Sequence, residues 1–226
     1  MSEAEAKPDA AAVRQGCLKL MAIAVLVVAG IYAIGLFVGR DPWADQGVAV
    51  EAPKTGTAKP SPTIAEPEDD GIAKIEYDLQ ERVIATAGVL RPTTADCELD
   101  DIPNGPRTFG CTVTFDGTEV PFEVRITKVT KGLGMALFEW EIAKQQAVLT
   151  KEGVFAEFWR DSTPAKYTDL RCDDDIPTKK LVALGPTEHF CYFTTERGKH
   201  HRSRVVVDEH GLNFVQDDDG EMAPKE

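Results

Sequence analysis

One short pattern occurs twice and restricts the possible folds of this chain more than any bulk property does. Asp-Cys-Glu-Leu-Asp-Asp-Ile-Pro runs from Asp96 to Pro103, and Arg-Cys-Asp-Asp-Asp-Ile-Pro from Arg171 to Pro177. Each copy has a partner cysteine downstream, in Phe109-Gly110-Cys111 and in Phe190-Cys191. Each second cysteine leads into a polar stretch, a glycine (Gly117, Gly198) and a β-rich run. The pattern reads as a duplicated unit closed by cysteines. Four cysteines admit three connectivities. The repeat favours Cys97 with Cys111 and Cys172 with Cys191, with pairing between the copies as the rival. A bridge closing roughly 15 to 20 residues contributes about 3 kcal/mol through loss of chain entropy in the unfolded state. That matters for units of about 65 residues, which bury a limited share of their surface.

The fifth cysteine, Cys17, stands before an uncharged run, Leu20 to Gly39. Twenty helical residues rise about 30 Å, the thickness of a bilayer core, so the run predicts a single transmembrane helix. The rival is a cleaved signal peptide. The run is longer than such a core, and Gly39-Arg40-Asp41-Pro42-Trp43 offers no small-residue cleavage site. A lipid-bearing cysteine would follow the apolar run, whereas Cys17 precedes it. Arg14 and Lys19 on one side and Arg40 on the other give a slight bias toward an inside N-terminus. Paired cysteines beyond the run imply an oxidising compartment there, with Cys17 unpaired on the reducing side. Gly35 and Gly39 form a Gly-x-x-x-Gly spacing suited to helix packing, but glycine is frequent in spans, and oligomeric state stays open.

The expected organisation is a cytoplasmic tail over 1–19, the span over 20–39, a disordered proline-rich stalk over 40–71, a first module over 72–142, a second over 143–216 and an acidic tail over 217–226. Pro42, Pro53, Pro60, Pro62 and Pro67 with few apolar neighbours give the stalk its spacer character. Glu68-Asp69-Asp70 suits a helix N-terminus. Ile72, Ile75, Leu79 and Val83 then recur at helical spacing until Gly88. Strands are predicted near 109–115, 120–129 and 133–142, with turns at Asp116-Gly117 and Lys131-Gly132. Leu137 to Ile142 reads equally as a closing strand or an opening helix. Lys144 to Arg160 is helix-like, divided by Thr150 and Gly153, and strands follow near 167–172, 189–195, 202–207 and 212–215. The fold class is therefore α+β: two tandem modules, each of one helix plus a small antiparallel sheet with one disulfide.

These residues resemble a family. A helix, a cysteine beside a short acidic loop, then Gly-Cys or Phe-Cys opening a strand, behind one membrane anchor, is similar to a small extracytoplasmic domain of unknown function in envelope proteins of high-G+C Gram-positive bacteria. The resemblance covers roughly Ile72 to Val215, as a tandem pair. It implies topology and disulfides and carries over no catalytic or binding residue. The second copy departs by inserting Thr178 to Thr187 between its cysteines.

The formal net charge of −13 falls entirely beyond residue 39, since Glu3, Glu5 and Asp9 balance Lys7, Arg14 and Lys19 and the run itself is uncharged. Such a field repels nucleic acid, so no nucleic-acid partner is expected. None of Ser2, Ser61, Ser162 or Ser203 lies in a Gly-x-Ser-x-Gly elbow, no phosphate loop occurs, and no Cys-x-x-Cys is present. The acidic loops do not match calcium-loop spacing and read as solvated turns. All four histidines fall in the second copy. His200 and His201 are adjacent in a strand and point to opposite faces, so they do not serve one ion. The expectation is no catalytic residue, no metal and no cofactor, with His189, His200, His201 and Arg202 as the weak binding candidates on a basic strand edge. The function expected is a non-enzymatic, single-pass envelope protein that binds or positions a partner protein or wall polymer. The alternatives are an accessory subunit of a membrane complex, a metal or small-ligand sensor, and a hydrolase with an unrecognised site. The places where the copies differ, the Thr178 to Thr187 insertion and the histidine-rich edge, are where function is expected.

Overall fold

A computed structural model describes residues 43, 45–53, 65–67, 71–132, 135–163 and 166–216. The apolar run 20–39, the acidic residues 68–70 and the tail 217–226 lie outside them. The described residues from Asp45 onward form one compact unit. Its first element is strand β1 (Val48–Ala49), followed by helix α1 (Ile72–Ala87). Strands β2 (Thr93–Cys97), β3 (Arg107–Phe115), β4 (Thr118–Gly132) and β5 (Met135–Gln145) then pair in chain order as an antiparallel meander. Next come β6 (Ala147–Leu149), helix α2 (Lys151–Ser162), β7 (Thr168–Cys172), β8 (Lys180–Val182), β9 (Gly185–Thr194), β10 (His200–Asp208) and β11 (Gly211–Gln216). The second large sheet has the order β1-β7-β9-β10-β11, and β6 pairs with β8 alone.

Local chemistry explains several of these elements. Asp116 (φ 47°) and Gly117 (φ 76°) form a two-residue loop between paired Phe115 and Thr118, the left-handed geometry that suits the twist of a hairpin. Gly88, at φ 68°, ends α1, its N–H reaching the carbonyls of Ile84 and Ala85. Leu137 to Ile142 is strand, paired with β4 from Thr130 to Val124.

The expected fold class is overturned. The described residues are dominated by antiparallel strands, with two helices, and they do not divide into two helix-plus-sheet modules. Helix α1 is shared. It packs on β2 and β3 and also on β6 and β11. Arg82 reaches Glu209 at 3.3 Å, and Gly211 lies so close to the helix that an added Cβ would stand 3.1 Å from the Ala85 carbonyl oxygen. The physical reason lies in its wide buried face. Gln80, Ile84 and Ala87 are buried beside Ile72, Ile75, Leu79 and Val83, more than a single stripe on one sheet requires. Among the described residues no helix is long and apolar enough to cross a membrane.

Two further differences concern the connections. Lys144 to Leu149 is extended, and the helix begins only after Thr150, whose hydroxyl accepts the Gly153 N–H. Period-two alternation governs β6: Val148 enters the core of the first sheet, while Ala147 and Leu149 enter that of the second. Inside the segment read as a stalk, Val48 and Ala49 pair with Cys172 and Arg171, and Val50 donates to the Leu170 carbonyl at 2.8 Å. Gly47, at φ 72°, passes there because a Cβ would stand 2.5 Å from the Cys172 carbonyl oxygen.

Candidate functional site

The duplicated pattern builds the same local device twice. Cys97 and Cys111 are directly paired on β2 and β3, with Cα atoms 4.0 Å apart, and are disulfide-bonded. Cys172 and Cys191 stand in the same relation on β7 and β9, at 3.9 Å. The acid after each first cysteine then closes the ladder. Glu98 donates its N–H to the Gly110 carbonyl at 3.0 Å and accepts the Gly110 N–H on its carboxylate at 2.9 Å. Asp173 donates to the Phe190 carbonyl at 2.9 Å and accepts the Phe190 N–H at 2.8 Å. A side-chain carboxylate thus replaces the backbone acceptor of the next strand residue. In sequence these acids read as solvated turns; the structure gives the first one in each loop a bracing role.

The copies diverge at the position two before the second cysteine. In the first copy this is Phe109, buried in the apolar core. In the second it is His189, whose side chain is 8% exposed. Its Nδ1 is buried, has no hydrogen-bond partner, and stands 3.3 Å from Asp175 Oδ1. Asp173, Asp175 and His189 bring one nitrogen and two carboxylate oxygens within 4.8 Å of one another. The Asp173 carboxylate is held from a second side by the Tyr192 hydroxyl at 2.9 Å. Burial, then the neighbouring Asp173 charge, pushes the Tyr192 phenol well above its ordinary range, so Tyr192 acts as a fixed donor.

Of the other sequence candidates, Arg202 borders this cluster, its charge acting on Tyr192 together with those of Asp173 and Asp175, while His200 and His201 have other neighbours. His200 Nδ1 is 2.9 Å from Thr194 Oγ1. His201 stacks on Phe193 at 5.4 Å between centroids and contacts Gln216 at 3.0 Å. Arg202 and Arg204 both lie over the Phe190 ring, at 4.6 and 4.8 Å. The inserted residues Thr178 to Thr187 are used structurally. They supply β8, and Lys179 donates to the carbonyl and carboxylate of Asp116 at 2.7 and 3.1 Å. Sequence reasoning missed Asp173, Asp175 and the tie of Lys179 to the opposite hairpin. The signal available was the histidine at a position that is phenylalanine in the first copy.

A separate groove of about 430 Å³ is lined by Ala49, Glu51, Pro53, Val89, Glu152 and Phe155, among others. Glu152 is ion-paired there with Arg91. Compared with family models, with curated proteins and with solved structures, the chain matches none.

Proposed function

We propose that this chain is a non-enzymatic binding or positioning protein of the cell envelope, tethered at the membrane with its disulfide-bonded part on the extracytoplasmic side. The observation that supports this reading most is the pair of cross-strand disulfides. Such bonds persist in oxidising compartments, and here they consume four cysteines in pinning strands. The apolar run from Leu20 to Gly39 supplies the tether in this reading. The partner expected is an envelope protein or wall polymer that recognises a rigid, acidic, sheet-rich surface. Strand β5 offers one sheet edge for such a partner, with Leu137 63% exposed and with Glu139 and Glu141 ion-paired to Lys128 and Arg125 of β4. Edge strands are the usual template for strand addition by an extended partner.

Two measurements test the reading. Protease added to intact cells should degrade the disulfide-bonded part while the membrane stays sealed; protection until lysis would place it inside and end the proposal. The tagged chain, extracted in several detergents, should retain a reproducible partner that a Leu137→Asp variant loses. No common partner across detergents would count against it.

A further inference from the structure

We propose that Asp173, Asp175 and His189 form a binding site for a divalent transition-metal ion of the zinc class. The first argument is the unpaired nitrogen. Buried polar atoms nearly always have a partner, yet His189 Nδ1 has none, at a position where the first copy carries phenylalanine. The first copy shows that the cross-strand disulfide and its carboxylate brace form without an imidazole at this register position.

The second argument is the distance. At 3.3 Å the separation of His189 Nδ1 from Asp175 Oδ1 exceeds an ordinary N–H···O bond. It falls at the short end of the edge of a tetrahedron around an ion with ligands at roughly 2.0 to 2.2 Å, which is about 3.3 to 3.6 Å. Third, Asp173 is already oriented. The Phe190 N–H and the Tyr192 hydroxyl each hold one of its oxygens and leave lone pairs free, as hydrogen-bonded carboxylate ligands generally are. Asp175 is 70% exposed, so the cluster opens to solvent on its side.

Donor chemistry selects the class. One imidazole and two carboxylates suit zinc or a neighbouring first-row ion, whereas calcium takes six to eight oxygens and magnesium an octahedral oxygen shell. Three protein ligands leave a coordination position for water or for a donor from a partner. The inference goes beyond the binding role above and does not depend on it, since an envelope protein can bind its partner without an ion.

The test is calorimetric titration of the full-length chain, stripped with chelator, against zinc chloride and against calcium chloride. One zinc per chain is expected, with calcium binding at least about 10-fold weaker. His189→Phe installs the residue of the first copy, so folding should survive, and zinc binding should be lost. Asp175→Asn, on an exposed side chain, should weaken it by about 10-fold or more. A His200→Ala, His201→Ala, His210→Ala triple variant should bind as the parent does. Absence of zinc binding by the parent, equal binding by His189→Phe, or loss in the triple variant alone would overturn the site. Preference for calcium would overturn the class.

Discussion

Gly153, in the first turn of α2, has no space for a side chain: a Cβ would stand 1.8 Å from the carbonyl oxygen of Ala87, the last residue of α1. Thr150 bonds both helix ends at this junction, donating to the Ala87 carbonyl at 2.7 Å and accepting the Gly153 N–H at 2.9 Å. The obstacle is backbone and cannot rotate away. Gly153→Ala should therefore destabilise the protein by about 3 kcal/mol or more. Thr150→Val, which keeps the shape and removes both bonds, should lose about 1 to 2 kcal/mol. Urea denaturation of both variants checks the order.

Removal of either disulfide tests how much each sheet depends on its bridge. The bridges close separations of 14 and 19 residues, for which chain entropy gives about 3 kcal/mol each. Paired Cys→Ser variants should fall by similar amounts. A Cys97→Ser, Cys172→Ser variant should scramble or misfold, because no cysteine then faces its native partner.

The two carboxylate braces should differ in strength. Asp173→Ala removes the acceptor of the partly buried Phe190 N–H and of the Tyr192 hydroxyl, and should destabilise by about 1 to 3 kcal/mol. Glu98→Ala removes one exposed bond, which water replaces, and should stay below about 1 kcal/mol. Equal effects in thermal unfolding would show that the braces are not distinguished by burial.

Glu76 gives a pH dependence of definite sign. Its carboxylate accepts the Cys97 N–H at 3.1 Å and ties α1 to β2. Burial raises its pKa, outweighing the lowering by that bond, while the Asp96 charge raises it further. The folded state then holds the proton more tightly than the unfolded chain. This contribution is fully present below the ordinary value of 4.5 and is lost as pH rises through the folded value. Glu76→Gln retains an acceptor without the charge. It should be more stable than the parent at neutral pH, with the difference shrinking as the parent protonates on acidification. A difference that grows toward low pH would show the sign to be wrong.

Much of the local structure is legible in the residues. Ile72, Ile75, Leu79 and Val83 at helical spacing before Gly88 announce α1, Asp116-Gly117 announces the β3–β4 hairpin, and the doubled cysteine pattern appears as two matching braced bridges. These features depend on neighbours within a few residues or on a repeat visible in the sequence. The sharing of α1 between sheets, the alternation of Ala147, Val148 and Leu149 between two cores, and the meeting of Asp175 with His189 are different in kind. Each depends on which side chains the packed sheets bring face to face. A sequence read in isolation sets periodicity, turns and covalent options, while the choice among buried partners is made only when the sheets close around α1.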